Sequence, residues 1–193
     1  KIKAKVGERC LVCVPFSYPY GFATSTIMSL LCGRVAVLAP TLDKDNIRYY
    51  LSKNPNYVFG SPALLELIKR NVKDSDDLSS IHTFVSGGDF LSPMQNVDGV
   101  EFFRKHGANT VICNGSGNAE TVGTNTMAVG SLNRPETVGR VLVGTKAIIV
   151  DPDTLEELKR TISFEYRWFV SNCAHPEIFD TIELSDLYNR LNA

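Results

Sequence analysis

No stretch of this sequence is apolar for long enough to cross a bilayer. Its apolar runs, such as Val35 to Ala39, are a strand's length, whereas a spanning helix needs roughly 18 residues. Charge of one sign is also scarce: 20 Lys and Arg stand against 21 Asp and Glu, the net charge is -1, and the basic side chains are scattered. That balance removes the general attraction on which binding to nucleic acid or anionic lipid depends, so neither is expected as a partner. Histidine is sparse, and His82, His106 and His175 have no neighbour at metal-ligand spacing. Five cysteines are an odd number at irregular intervals. Cys10 and Cys13 lie in an apolar run that reads as a strand, where residues three apart face opposite ways. They read as plain buried thiols rather than a redox or zinc pair. The sequence opens on Lys1 with no signal-peptide pattern, and a cytoplasmic protein is the expectation.

What the sequence has is alternation. With 193 residues, 44% of them hydrophobic and 21% charged, it has enough material for one ordinary core. Cys10 to Pro15 reads as a strand, Phe22 to Cys32 as an apolar helix closed by Gly33, and Val35 to Ala39 as a strand ended by Pro40. A helix over Lys44 to Ser52 places Ile47, Tyr50 and Leu51 on one face, with Asp43 as its N-cap. Tyr57 to Gly60 is a strand, and Pro62 starts a helix carrying Leu64, Leu65, Leu67 and Ile68. Ile81 to Val85 is a strand. Pro93 to Lys105 is a helix weakened by Gly99, and Thr110 to Cys113 is the next strand. Strands alternating with helices predict an α/β fold, a mostly parallel sheet flanked by helices.

Two glycine-rich turns punctuate this pattern. Ser86-Gly87-Gly88-Asp89 and Asn114-Gly115-Ser116-Gly117-Asn118-Ala119-Glu120-Thr121 each follow a short β-branched run. A glycine directly after a strand lets backbone N–H groups approach a bulky or planar ligand, and parallel strands deliver such turns to one edge of the sheet. Each feature also has a plainer reading. Gly87-Gly88 is also what a tight strand-to-helix turn needs, and Glu120 suits the first turn of a helix, where it meets the macrodipole. Tyr18 and Trp168 fit core or rim positions, and Asp151 and Asp153 are turn residues.

After Glu120 the texture changes. Thr124 to Val129, Ala147 to Val150 and Ile162 to Val170 look like strands with no strong helix between them, so a smaller β-rich portion is expected after the α/β part. Leu184, Leu187, Tyr188 and Leu191 at i, i+3, i+4, i+7 read as a short amphipathic helix. The expected division is 1–122 for the α/β part, 123–158 for the β-rich part and 159–193 for a divergent tail.

Several segments, in order, resemble the adenylate-forming (AMP-binding) superfamily of acyl-CoA synthetases, amino-acid adenylation domains and luciferases. Val14-Pro15-Phe16-Ser17-Tyr18-Pro19-Tyr20-Gly21 is similar to that family's segment of proline, an aromatic, histidine and glycine. Val37-Leu38-Ala39-Pro40, Phe59-Gly60-Ser61-Pro62, Asp77-Leu78-Ser79-Ser80-Ile81 and Val85-Ser86-Gly87-Gly88 follow in line. Asn114 to Thr121 resembles the Asn-x-Tyr-Gly-x-Thr-Glu signature, and Thr137 to Gly144 the Gly-Arg-Pro-Leu-Pro-Gly turn before Ile149-Val150-Asp151-Pro152.

The resemblance implies an AMP-forming acid–thiol ligase, in which a carboxylate attacks the α-phosphate of ATP and coenzyme A or another thiol then captures the acyl group. It implies that Gly87 and Gly88 wall the pocket, that Asn114, Gly115, Ser116, Gly117 and Ala119 frame the nucleotide, and that Glu120 holds Mg2+. Tyr18 takes the place of the histidine that gates the acyl tunnel, so Tyr18 and Gly87 are the implied substrate pocket; no catalytic residue is implied. Two departures weaken ATP binding. Ser116 replaces a stacking aromatic, a loss of roughly 1 kcal/mol, and Ala119 replaces a phosphate-contacting threonine, another loss of about 1 kcal/mol.

The family's phosphate loop and its C-terminal lysine domain have no counterpart in Lys1 to Arg9 or after residue 158. The chain is therefore expected to be the central part of such an enzyme, to need the missing N- and C-terminal parts and to release no pyrophosphate alone. Two other functions compete: a dinucleotide-binding oxidoreductase, from Gly115-x-Gly117 after a strand, and a non-catalytic binding module that kept the fold.

Overall fold

Period-two alternation in three short strands sets the two faces of the sheet. In β1 (Arg9–Val12) and β3 (Tyr57–Gly60), Leu11 and Val58 point to one side while Cys10, Val12, Tyr57 and Phe59 point to the other. In β4 (Thr83–Ser86), Phe84 joins the first set and Val85 the second. With β2 (Val35–Leu38), β5 (Val111–Asn118), β6 (Gly123–Met127) and β7 (Arg140–Val141) they form a seven-stranded sheet in the order β2-β1-β3-β4-β5-β6-β7. The first five strands are parallel, and β6 and β7 are antiparallel additions at one edge. The computed structural model describes residues 5–129, 133–135, 137–151, 153–154 and 156–157, with the backbone alone of 169–172.

This is the expected α/β fold with a mostly parallel sheet. β8 (Lys146–Ile149) pairs antiparallel with β9 (Phe169–Asn172) in a separate two-stranded sheet. The strand expected over Ile162 to Val170 thus falls within the described residues only at Phe169 and Val170. Trp168, His175 and the helix expected around Leu184, Leu187, Tyr188 and Leu191 lie outside the described residues.

Three helices cover the face that carries Leu11, Val58, Phe84 and Ile112. These are α2 (Ile47–Leu51), α3 (Pro62–Asn71) and α4 (Pro93–Lys105), which bury Ile47, Leu51, Leu65, Ile68 and Phe103 against it. Helix α4 is set by a capping box: Ser92 Oγ accepts from Gln95 N at 3.2 Å, and Gln95 Oε1 accepts from Ser92 N at 3.0 Å. Gly99, read from sequence as a weak point, is where α4 lies closest to the core. A methyl there would come within 2.6 Å of Ile112 and 2.9 Å of Leu65.

Two helices differ from expectation. Asp43 does not cap a helix: its Oδ1 accepts from Asp45 N and Asn46 N at 2.9 and 3.1 Å, closing a turn, and α2 begins only at Ile47. The helix expected over Phe22 to Cys32 begins as a π-helix, Tyr20–Ile27, and continues as one α-helical turn, α1 (Met28–Leu31). Ser25 and Thr26 donate their hydroxyls to the carbonyls of Tyr20 and Gly21, five residues back. These bonds match the wider π spacing, a geometry concentrated at functional sites. Gly33 closes the helix with φ +72°, as expected.

Arg48 of α2 clamps the carboxylate of Asp76, with Nε to Oδ2 at 2.7 Å and Nη2 to Oδ1 at 2.5 Å, and Lys73 N donates to the same Oδ2 at 3.0 Å. The Arg48 hydrogen bonds, then the Lys73 N–H, hold that carboxyl down at about 2 from its ordinary 3.8. A carboxyl depressed by folding stabilises the fold fully above its unfolded value and loses that contribution as pH falls through the folded one. Asp76→Asn should therefore lower the urea midpoint at neutral pH and flatten its fall between pH 3.8 and about 2. Parallel profiles for wild type and variant would refute the assignment.

Candidate functional site

Strand β5 is longer than its parallel neighbour, and that difference creates a cleft. Its parallel pairing with β4 ends at Ser86↔Asn114. Beyond this point β4 leaves the sheet at Gly87, whereas β5 runs on and pairs antiparallel with β6, with an irregular register between Ser116 and Gly117. Because β6 lies on the opposite edge of β5 from β4, the extension of β5 projects past the end of β4, and a crevice opens at the carboxyl ends of the parallel strands. The resulting cleft is open on one side and has a volume of about 160 Å³.

Five of the fourteen residues that line it are glycines. Gly87 and Gly88 form one side, with Val85 and Ser86 beneath them; Gly115, Ser116, Gly117, Asn118 and Ala119, with Gly123 and Thr124 of the returning strand, form the other. Tyr18, Pro19 and Tyr20 close the end from the start of the π-helix. Gly88 has φ +81°, a left-handed conformation that a side chain resists. At Gly117 close approach is the constraint, since a methyl would overlap the Gly123 carbonyl and lie 2.8 Å from Thr124 Cα.

The cleft brings together seven of the residues singled out from sequence: Tyr18, Gly87, Gly88, Gly115, Ser116, Gly117 and Ala119. Asn114 is not in the lining. It is buried, and its Nδ2 donates to the Pro135 carbonyl at 3.0 Å. Glu120 is exposed and follows Ala119 on the hairpin turn, where Val122 N donates to the Ala119 carbonyl at 3.1 Å. The stretch from Asn114 to Asn118 is strand rather than turn, a correction to the sequence reading. Because β5 returns as β6 with no helix between them, Glu120 faces no helix macrodipole. Gly115-x-Gly117 likewise opens no helix N-terminus, which removes the dinucleotide fingerprint and with it the oxidoreductase alternative.

Sequence reasoning missed Tyr20, Ser86, Asn118 and Thr124. Tyr20 and Ser86 stood inside segments already quoted, but nothing local marks which residues of a segment face inward. Tyr20 donates its hydroxyl to the Val85 carbonyl at 2.9 Å, and burial pushes its phenol pKa up. Thr124 Oγ1 pairs with Thr24 Oγ1 at 3.2 Å, tying β6 to the π-helix.

The lining carries no Lys, Arg, Asp or Glu among the described residues. A neutral slot with backbone amides, two serines, an asparagine and a threonine suits a planar base and its sugar. For a hard cation the chain offers Glu120 beside the rim, and no group of three His, Cys, Asp or Glu is placed for a metal among the described residues. Cys10 and Cys13 are free thiols; Cys13 donates to the Phe59 carbonyl at 3.1 Å, and burial pushes its pKa up to about 12. His82 Nε2 sits 3.2 Å from Glu8 Oε1, and His106 Nδ1 sits 2.9 Å from the Phe102 carbonyl oxygen. Among the described residues no helix is long and apolar enough to cross a membrane.

The family model described as AMP-binding enzyme matches residues 1–162. Among solved structures, the anthranilate CoA ligase AuaEII in complex with anthranoyl-AMP superposes with a TM-score of 0.68 at 19% identity, over 79% of this chain and 29% of that one. The long-chain-fatty-acid-CoA ligase FadD1 from Archaeoglobus fulgidus gives 0.68 at 12% identity, over 79% and 32%. ATP-bound MatB from Rhodopseudomonas palustris gives 0.65 at 20% identity, over 80% and 30%. At such identities the likeness is one of fold, and the chain spans about 30% of the length of these structures. No curated protein sequence matches it.

Proposed function

Because this chain belongs to the AMP-binding enzyme family, we propose that its cleft holds the adenylate of a carboxylic acid, as part of an AMP-forming acid–thiol ligase. The observation that carries this reading is the step at the end of β4, past which β5 runs on with β6 and leaves a neutral, glycine-rich slot lined by Gly87-Gly88 and Gly115 to Ala119. In the proposed reaction a carboxylate oxygen attacks the α-phosphorus of ATP, pyrophosphate leaves, and a thiol such as coenzyme A then takes the acyl group and releases AMP.

The residues divide this work simply. Gly87, Gly88, Gly115 and Gly117 let the ligand lie against main chain, Ser116 and Asn118 offer hydrogen bonds, and Tyr18 with Tyr20 bounds the acid. Asn114 supports the wall from behind through its bond to Pro135. Glu120 would hold a magnesium ion, which when bound draws charge from the triphosphate. No lysine or arginine lines the cleft among the described residues, so those residues supply no cation to the phosphates. Binding without turnover follows: the 193 residues by themselves should bind an adenylate yet release no pyrophosphate from ATP, Mg2+ and a carboxylate.

Thermal stabilisation tests the reading directly. A non-hydrolysable acyl-sulfamate adenosine at about 100 times its Kd should add ~2.7 kcal/mol of stability, while NAD adds none. Equal shifts from both compounds, or none from either, would refute it, the latter leaving the binding-module alternative in its place.

A further inference from the structure

The helix that runs from Tyr20 to Leu31 is built inside out. Its buried positions are small or polar, Gly21, Thr24, Ser25, Thr26 and Ser29, with the hydroxyls of Ser25 and Thr26 turned back onto its own carbonyls and Thr24 paired with Thr124. Its large apolar side chains face water: Phe22 is 52% exposed, Ile27 37%, Met28 38%, Leu30 52% and Leu31 83%. A helix on a globular core turns its apolar stripe inward. Here one π-helical turn separates Phe22 from Ile27 and one α-helical turn separates Ile27 from Leu30 and Leu31, so these four stand in one outward row.

The row continues onto the sheet. Leu38 pairs in register with Val12, on the sheet face that packs against Tyr20, and is 48% exposed there. No charged residue stands between Arg9 and Arg34, so an acidic or basic partner finds no complementary charge along this helix. Together the six exposures leave the equivalent of about three whole side chains in water. At roughly 150 Å² apiece, the low end for a large side chain, that is on the order of 500 Å². Two such faces pressed together bury about 1,000 Å², the size at which specific association begins.

We propose that this face is the contact between two copies of the chain, related by a two-fold axis that sets helix against helix. A two-fold contact needs one patch that complements itself, and an uncharged row of Phe, Ile, Met and Leu does not repel its own copy. Such a contact closes at two chains. Its small area makes the dimer weak, with dissociation in the micromolar range. The row begins at Phe22, whereas only Tyr18, Pro19 and Tyr20 of this region line the cleft, so the dimer and the adenylate reading stand or fall separately.

Sedimentation of the full chain between ~1 and ~200 μM, the range in which a contact of this size associates, should show the mass rising from 21.3 kDa to twice that and stopping there. Leu31→Glu should weaken the dimer at least tenfold, because a two-fold contact buries the new carboxylate twice. Leu31→Ala, which keeps helix propensity where the glutamate variant fails to fold, should weaken it at least threefold. Met94→Glu places the same charge among other exposed apolar side chains, Phe90 and Val97, and should leave the dissociation constant unchanged. A monomer at every concentration overturns the inference, and so does a mass that climbs past two copies. Loss of association in Met94→Glu rather than in Leu31→Glu moves the contact elsewhere and overturns it too. Capture of the chain by neutral phosphatidylcholine vesicles, with no dimer in their absence, gives the face to a bilayer and has the same consequence.

Discussion

Replacing Phe84 by alanine is expected to cost about 3–5 kcal/mol of unfolding free energy, a large part of the 5–15 kcal/mol that typically holds a domain together. Phe84 is fully buried on a central strand, with its ring centroid 6.2 Å from that of Phe103 on α4. Leu11, Val58 and Ile112 stand beside it in the same core. Neighbours on a hydrogen-bonded sheet cannot collapse into the space a lost ring leaves, so both the transfer term and the cavity term apply in full. Phe84→Leu, which preserves most of the volume, should cost well under half as much. Urea denaturation measures both variants, and a loss below ~1 kcal/mol for the alanine would mean that the helical face of the sheet is not the main core.

Gly117→Ala is expected to abolish most adenylate binding while leaving that core intact. The added methyl has no room, because the Gly123 carbonyl on the returning strand already fills its place. The hairpin must spread to admit it. That displaces Gly123 and Thr124, which line the cleft, and strains the 3.2 Å pairing of Thr124 with Thr24 on the π-helix that carries Tyr20. The acyl-sulfamate analogue should bind at least tenfold more weakly, a change of ~1.4 kcal/mol or more. Gly144→Ala is the control: Gly144 has φ +85°, a methyl added there would meet nothing within 4 Å, and it lies outside the lining. It should lower stability through backbone strain alone and leave the dissociation constant unchanged. Unaltered binding by Gly117→Ala would show that the ligand does not sit between β4 and the hairpin.

The legible parts of the fold were those in which a residue's partner lies nearby in sequence. Helix α4 could be bounded at Pro93 and Lys105 because Ser92, Pro93 and Gln95 make its cap among themselves. β3 could be bounded at Tyr57 and Gly60 because four residues between turn signals leave little choice. Asp43 misled because its carboxylate reaches Asp45 and Asn46 as readily in a turn as in a first helical turn. Gly99 read as a defect because its reason, the approach of Ile112 and Leu65, lies across the core.

The candidate site divides along the same line. Gly87 and Gly88 were recognisable from their place after an apolar run, and Gly115 and Gly117 from their density of glycine. That the second pair continues a strand was not, because β6 supplies the hydrogen bonds that make it one. Tyr20 passed unnoticed for a similar reason: its two carbonyl partners are 40 and 65 residues away.

The order of residues alone settled the layered α/β architecture, the family and the two glycine segments, since periodicity and backbone permissiveness are properties of short stretches. Only folding in three dimensions determined that those segments line one cleft, that Tyr18 and Tyr20 join them there, and that Asn114 lies outside it. A cleft is the space between chains that meet from distant positions, and its shape depends on which strand takes which partner, a choice made by the whole sheet at once.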